Sequence, residues 1–141
     1  MSIDRAVAAL GLGLAAALGA VTVAASVGRG DDVAIVELTI RYSHFEPAAV
    51  RVPAGRPVTF VIRNADPIDH EWIVGDDAVH VRHRTGTEPA HGARPTELSV
   101  PAGEERRTTV TFPSAGSLAF ICHLPGHEAY GMVGSVEVTA P

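Results

Sequence analysis

Residues 108–138 read TTVTFPSAGSLAFICHLPGHEAYGMVGSVEV, and this stretch decides the fold. Residues 108–112 alternate between polar and apolar and stop at Pro113. Residues 118–122 form a short continuous apolar run, and residues 133–138 alternate again. Alternation of period two marks a half-buried strand, and a short apolar run between turn residues marks a buried one. The intervening Pro113, Gly116, Pro125, Gly126 and Gly131 punctuate the runs as turns. Further upstream the same texture recurs at residues 33–40, 50–52, 58–63, 71–74 and 98–100. A Pro-Ala-Gly turn follows two of these runs, at residues 53–55 and 101–103. About eight short strands separated by Gly/Pro turns predict an all-β sandwich or barrel. No segment after Gly30 carries sustained helical periodicity. Residues 76–96 hold no clear strand, and a loop of that length in a compact domain is usually functional.

The 141 residues allow one domain with a tail. Apolar residues make up 46% and charged residues 19%, a balance that can bury a core. The net charge of −5 argues against nucleic acid as a partner. One Cys excludes an internal disulfide, a four-cysteine zinc site, an all-thiolate iron–sulfur cluster and a CxxC redox pair. Residues 6–27 contain no charge and are almost wholly Ala, Gly, Leu and Val. As a helix, 22 such residues would reach about 33 Å, enough to cross a bilayer core. The expected organisation is therefore a hydrophobic N-terminal helix at 1–27, serving as signal peptide or transmembrane anchor, a linker at 28–32, and a folded body at 33–141. The flanking charges lean toward an N-terminus inside and a domain outside. That implies an extracytoplasmic location, periplasmic or at the cell surface, anchored or secreted.

The chemistry collects in the last loop. Cys122, His127 and Met132 lie within eleven residues between two strands. Thiolate, imidazole and thioether form a soft donor set that suits copper. A trigonal Cys-His-His site with a long axial Met would need one more His from elsewhere. His70, where a loop enters a strand, supplies a candidate.

With these residues in view, the body at roughly 33–139 resembles the cupredoxins, the plastocyanin and azurin type of small blue copper protein. The matching features are Phe45-Glu46-Pro47, Val52-Pro53-Ala54-Gly55, Val58-Thr59-Phe60, Asn64, His70-Glu71 and Cys122-x4-His127-x4-Met132-x-Gly134. The resemblance implies a Greek-key β-sandwich and one type 1 copper held by His70, Cys122, His127 and Met132. The x4 spacing between Cys and His is longer than in plastocyanin and is similar to the rusticyanin type. In many members the residue after the first His is an Asn that pins the ligand loops together; here it is Glu71. The function the resemblance implies is one-electron transfer to a protein redox partner, with the edge of His127 partly exposed. The alternative is copper capture or delivery without obligatory electron transfer. Neither reading makes the chain an enzyme, and the body is expected to be monomeric.

The other histidines sort differently. His123 directly follows Cys122, so in an extended chain it points to the opposite face, toward the surface or behind the site. His44 is expected on a strand edge. Trp72, Phe60 and Phe120 read as core around the site. His80, His83 and His91 sit in the long segment with Asp76, Asp77 and Glu88; the expectation is a solvated loop, with a second copper or zinc site as the rival.

Overall fold

The computed structural model describes Val23–Ala24, residues 33–86 and residues 88–141. Its strands are β1 (Val23–Ala24), β2 (Ala34–Arg41), β3 (His44–Glu46), β4 (Ala49–Pro53), β5 (Pro57–Asn64), β6 (His70–Gly75), β7 (Glu97–Val100), β8 (Glu105–Thr111), β9 (Gly116–Ile121) and β10 (Val133–Thr139). Two short helices interrupt them, α1 (Asp77–Arg84) and α2 (His127–Tyr130). The strands form a six-stranded sheet in the order β1-β4-β10-β9-β6-β7 and a four-stranded sheet in the order β3-β2-β5-β8.

The alternation seen in the sequence becomes the inner and outer faces of these sheets. In β2, Ala34, Val36, Leu38 and Ile40 are buried while Ile35, Glu37 and Arg41 are not. In β10, Val136 and Val138 point inward and Glu137 outward. β6 differs, with His70, Glu71, Trp72, Ile73 and Val74 all buried. It lies inside its sheet between β9 and β7, and α1 packs against it. A strand covered on both faces loses the period-two signal. Phe60 of one sheet meets Trp72 of the other at 4.9 Å between ring centroids, and Trp72 lies 6.4 Å from Phe120. These three rings, each fully buried, form the centre of the core beneath the last loop.

Every strand anticipated from the sequence is present. The two extra strands are short. β3 has three residues and pairs with β2, and β1 has two residues and pairs in parallel with β4. Segments that short carry too few residues for a periodic signal. The hydrophobic N-terminal helix and its division at 27 and 28 fall almost wholly outside the described residues. Only Val23–Ala24 is described there, as strand β1 rather than helix.

The long segment is a correction. Residues 77–84 form a two-turn helix, not an irregular loop. Asp76 caps it by accepting from the Val79 N–H at 3.0 Å, Asp77 opens the first turn, and Arg82, His83 and Arg84 close the last. Its buried residues are His80 and His83. An amphipathic helix ordinarily shows an apolar stripe, and this one buries imidazoles instead. The segment is not merely solvated.

Gly134 on β10 faces the Phe120 ring so closely that an added Cβ would lie 2.1 Å from Phe120 Cε2 and 2.7 Å from the Ala48 carbonyl oxygen. Neither can retreat, because Phe120 is fully buried and Ala48 O accepts from the Ser135 N–H. Gly134→Ala should therefore cost about 1–3 kcal/mol through overpacking. A chemical-denaturation midpoint equal to that of the parent protein would show this packing argument to be wrong.

Candidate metal centre

His70 is the first residue of β6, and its position is set from the preceding turn. Asn64, at the end of β5, donates through Nδ2 to the carbonyls of Ile68 (2.8 Å) and Val100 (2.9 Å) and accepts from the Asp66 N–H at 2.9 Å. This ties residues 64–68 to β7 and aims Asp66 inward. The Asp66 carboxylate then accepts from the N–H groups of Tyr42 and Ser43, both at 2.7 Å, and from His70 Nε2 at 2.9 Å. Tyr42 and Ser43 have φ of 52° and 55°, a left-handed conformation that these contacts hold in place. Burial pushes the Asp66 carboxyl up, but the Ser43 and Tyr42 N–H groups together with His70 bring it below its ordinary value. A carboxylate only accepts, so His70 carries its proton on Nε2 and presents Nδ1 as a bare lone pair.

Cys122 directly follows β9, and Met132 directly precedes β10. The Cys122 N–H donates to the Met132 carbonyl at 3.2 Å, and the Met132 N–H donates to the His127 carbonyl at 3.0 Å. The loop thus closes on itself through the three residues singled out in the sequence. His127 opens α2, a single turn flanked by Gly126 and Gly131, both at positive φ. The outcome is convergence. Cys122 Sγ lies 3.2 Å from His127 Nδ1, and His127 Nδ1 lies 3.2 Å from His70 Nδ1. Cys122, Met132 and His70 are buried and His127 is half-buried.

These donors fit copper. Two imidazole nitrogens and one sulfur gather within 4.8 Å of one another, and the His70 lone pair is aimed by a carboxylate on the far side of its ring. That carboxylate–imidazole pairing is how proteins orient metal-binding histidines. Burial pushes the Cys122 thiol up to about 11, although the Leu124 and Glu71 N–H groups pull the other way. A bound cation reverses that balance by taking the thiolate directly. The Glu71 N–H donates to Cys122 Sγ at 3.3 Å. The link between the two ligand segments is therefore made by the backbone at Glu71, whatever its side chain.

His44 stands exposed on β3, as expected of a strand-edge residue. His123 is not a surface residue. Its side chain is only 3% exposed, stacked on His83 with centroids 5.5 Å apart and within 3.0 Å of His80 Nδ1 through Nε2. Burial depresses it to about 4 despite the pull of Glu128. His123 points away from the Cys122 thiol, as expected of neighbours in an extended chain, and α1 covers that side. Sequence reasoning also missed Asp66. Its one local signal is a carboxylate four residues before a candidate ligand.

A sequence profile of copper-binding proteins of the plastocyanin/azurin family matches residues 34–139. The chain belongs to that family, and it is a copper-binding protein of cupredoxin fold. Among curated proteins it is 34% identical over 119 residues to the copper-resistant cuproprotein CopI of Rubrivivax gelatinosus, covering 79% of this chain and 72% of that protein. It is 30% identical over 135 residues to the CopI of Pseudomonas aeruginosa, covering 73% of this chain and 75% of that one. Among solved structures it superposes on auracyanin B with a TM-score of 0.61 at 25% identity, over 74% of this chain and 88% of that one.

Replacing the buried Asp66 by Asn should lower stability by about 1–3 kcal/mol at pH 7 by weakening three hydrogen bonds to a charged acceptor. The native carboxyl titrates below its unfolded value, so its contribution is complete above roughly pH 4 and is lost as pH falls through the native value. The gap between parent and Asp66→Asn in denaturant midpoint should narrow accordingly in acid. A gap that widens as pH falls would refute this account of Asp66.

Proposed function

We propose that this protein captures copper outside the cytoplasmic membrane in a single type 1 site and thereby protects its cell against copper. The observation that carries the copper site is the convergence of His70 Nδ1, Cys122 Sγ and His127 Nδ1, with donor atoms within 4.8 Å of one another. In this reading His70, Cys122 and His127 form the trigonal plane and Met132 is the axial ligand. Copper in such a site supplies a one-electron couple between Cu(I) and Cu(II). The protein's part is to hold the ligands nearly fixed. The β9–β10 hairpin sets Cys122 and Met132, and Asp66 sets His70. The protective role is supported by the similarity to proteins named for copper resistance. The extracytoplasmic placement rests on the uncharged run at residues 6–27. No catalytic step is assigned to the chain.

One observation favours a second reading, a one-electron carrier with a protein redox partner. His127 is half-buried while its neighbours Pro125, Gly126 and Tyr130 are exposed, so one edge of the site reaches the surface. A rigid site with one exposed imidazole suits electron transfer across a contact with a partner.

Copper(II) added to the purified protein should produce an intense visible thiolate-to-copper absorption, and Cys122→Ser should abolish it. In the source cell, loss of the protein should lower the copper concentration that stops growth, and the Cys122→Ser form should fail to restore it. Full restoration by that variant would overturn the protective role of this site. Met132→Leu should keep the visible band but raise the reduction potential measured by voltammetry, because losing the axial donor and placing an apolar side chain there disfavours the more highly charged Cu(II). An unchanged potential would remove Met132 from the ligand set.

A further inference from the structure

We infer that the protein carries a second metal site, built by His83, His91 and Glu97, that takes a divalent cation with copper(II) preferred over zinc. His83 comes from the last turn of α1, His91 from the segment that follows, and Glu97 from the start of β7. Each offers one donor atom, and the three atoms lie within 4.8 Å of one another. Their side chains are 1%, 2% and 4% exposed.

The hydrogen bonds of His83 turn one of its ring nitrogens toward the cluster. His83 Nδ1 is 2.8 Å from the Val79 carbonyl, which only accepts, so His83 donates there. His83 Nε2 is buried, has no hydrogen-bond partner among the described residues, and faces Glu97 Oε2 at 3.6 Å. A ring nitrogen and a carboxylate oxygen held apart at that distance away from water are costly unless a cation lies between them. His91 Nδ1 lies 3.9 Å from the same Glu97 oxygen and 3.6 Å from Glu88 Oε1. Metal–ligand bonds of about 2.0–2.1 Å put neighbouring donors roughly 3.3–3.6 Å apart in tetrahedral or trigonal sites; the His83–Glu97 separation of 3.6 Å meets this, and the His91–Glu97 separation of 3.9 Å closes to it with a shift of a few tenths of an ångström.

The surroundings orient the donors. Arg82 and Arg94 donate to Glu97 Oε1 at 2.8 and 3.0 Å, with a longer contact of 3.3 Å from Arg94 to Oε2. They anchor the carboxylate with Oε2 toward the rings. On the far side of His91, Nε2 lies 3.5 Å from Glu71 Oε1, so a carboxylate backs this imidazole as Asp66 backs His70. A cleft of about 150 Å³, lined by Glu71, His83, Glu88, His91 and His123, leads to the cluster. Glu88 is half-exposed at its mouth, with Oε1 3.6 Å from His91 Nδ1. His80 takes no part, because its ring is spent on the Gly75 and Ala119 carbonyls and on His123. The donor set is imidazole and carboxylate without sulfur. That excludes the soft-donor preference for Cu(I), and copper(II) stands above zinc in divalent affinity.

This site does not depend on the thiolate centre, and its test separates the two. The full-length chain should hold two tightly bound copper(II) ions by elemental analysis. Its paramagnetic resonance spectrum should show a second signal lacking thiolate character. The paired variant His83→Gln/His91→Gln should fall to one copper per chain, lose the second signal and keep the visible band, which reports both the fold and the first site. Glu97→Gln, which preserves shape, should weaken the second copper at least about tenfold with the band intact. Zinc added to the two-copper protein should displace the second ion only in large excess; displacement by equimolar zinc would overturn the copper preference. One copper in the parent, or two in both variants, would overturn the site.

Discussion

A single buried carboxylate holds three stretches of chain in register around the candidate copper site. Asp66 accepts from the Tyr42 and Ser43 N–H groups and from His70 Nε2. Those partners lie on the β2–β3 turn and at the start of β6. An ionised carboxylate is a strong acceptor and is expensive to bury without donors. Its three donors therefore act together, keeping a strained turn in the left-handed region and fixing which nitrogen of His70 faces the site. The direction of the His70 lone pair follows from this one group.

The remaining donors are held by a different device. Cys122 and Met132 flank the β9–β10 connection, where backbone hydrogen bonds close the loop. Gly126 and Gly131 give α2 its abrupt entry and exit at positive φ. Beneath them Phe120, Trp72 and Phe60 form a fully buried aromatic floor, and Gly134 lets Phe120 approach. Rigidity at the site thus has two sources, a packed core below and a carboxylate-centred hydrogen-bond set to one side.

Glu71 joins this site to the histidine cluster beside it. Its N–H reaches the Cys122 sulfur at 3.3 Å and its carboxylate lies 3.5 Å from His91. Five of the seven histidines are buried or nearly so behind the copper pocket or within it, apart from half-buried His127 and exposed His44. Imidazoles in such number do not serve as core packing alone, because each brings a polar nitrogen that must find a partner.

All the described strands except β1 and β3, most of the turns, and the loop that gathers Cys122, His127 and Met132 can be read from the residues alone. These are local properties: period-two alternation, Gly/Pro punctuation and spacing along a short connection. The candidate role of His70 was legible through the resemblance of its surroundings to the cupredoxins. Helix α1 was not legible, because it buries His80 and His83 instead of an apolar stripe. Only the tertiary structure decided that Asp66 orients His70, that His123 is covered, and that Glu97 joins His83 and His91. Glu97 lies 14 residues beyond His83 on a different element, and its approach follows from β7 pairing with β6 while α1 packs on the same strand. Such convergence depends on sheet order and helix placement, which no local pattern encodes.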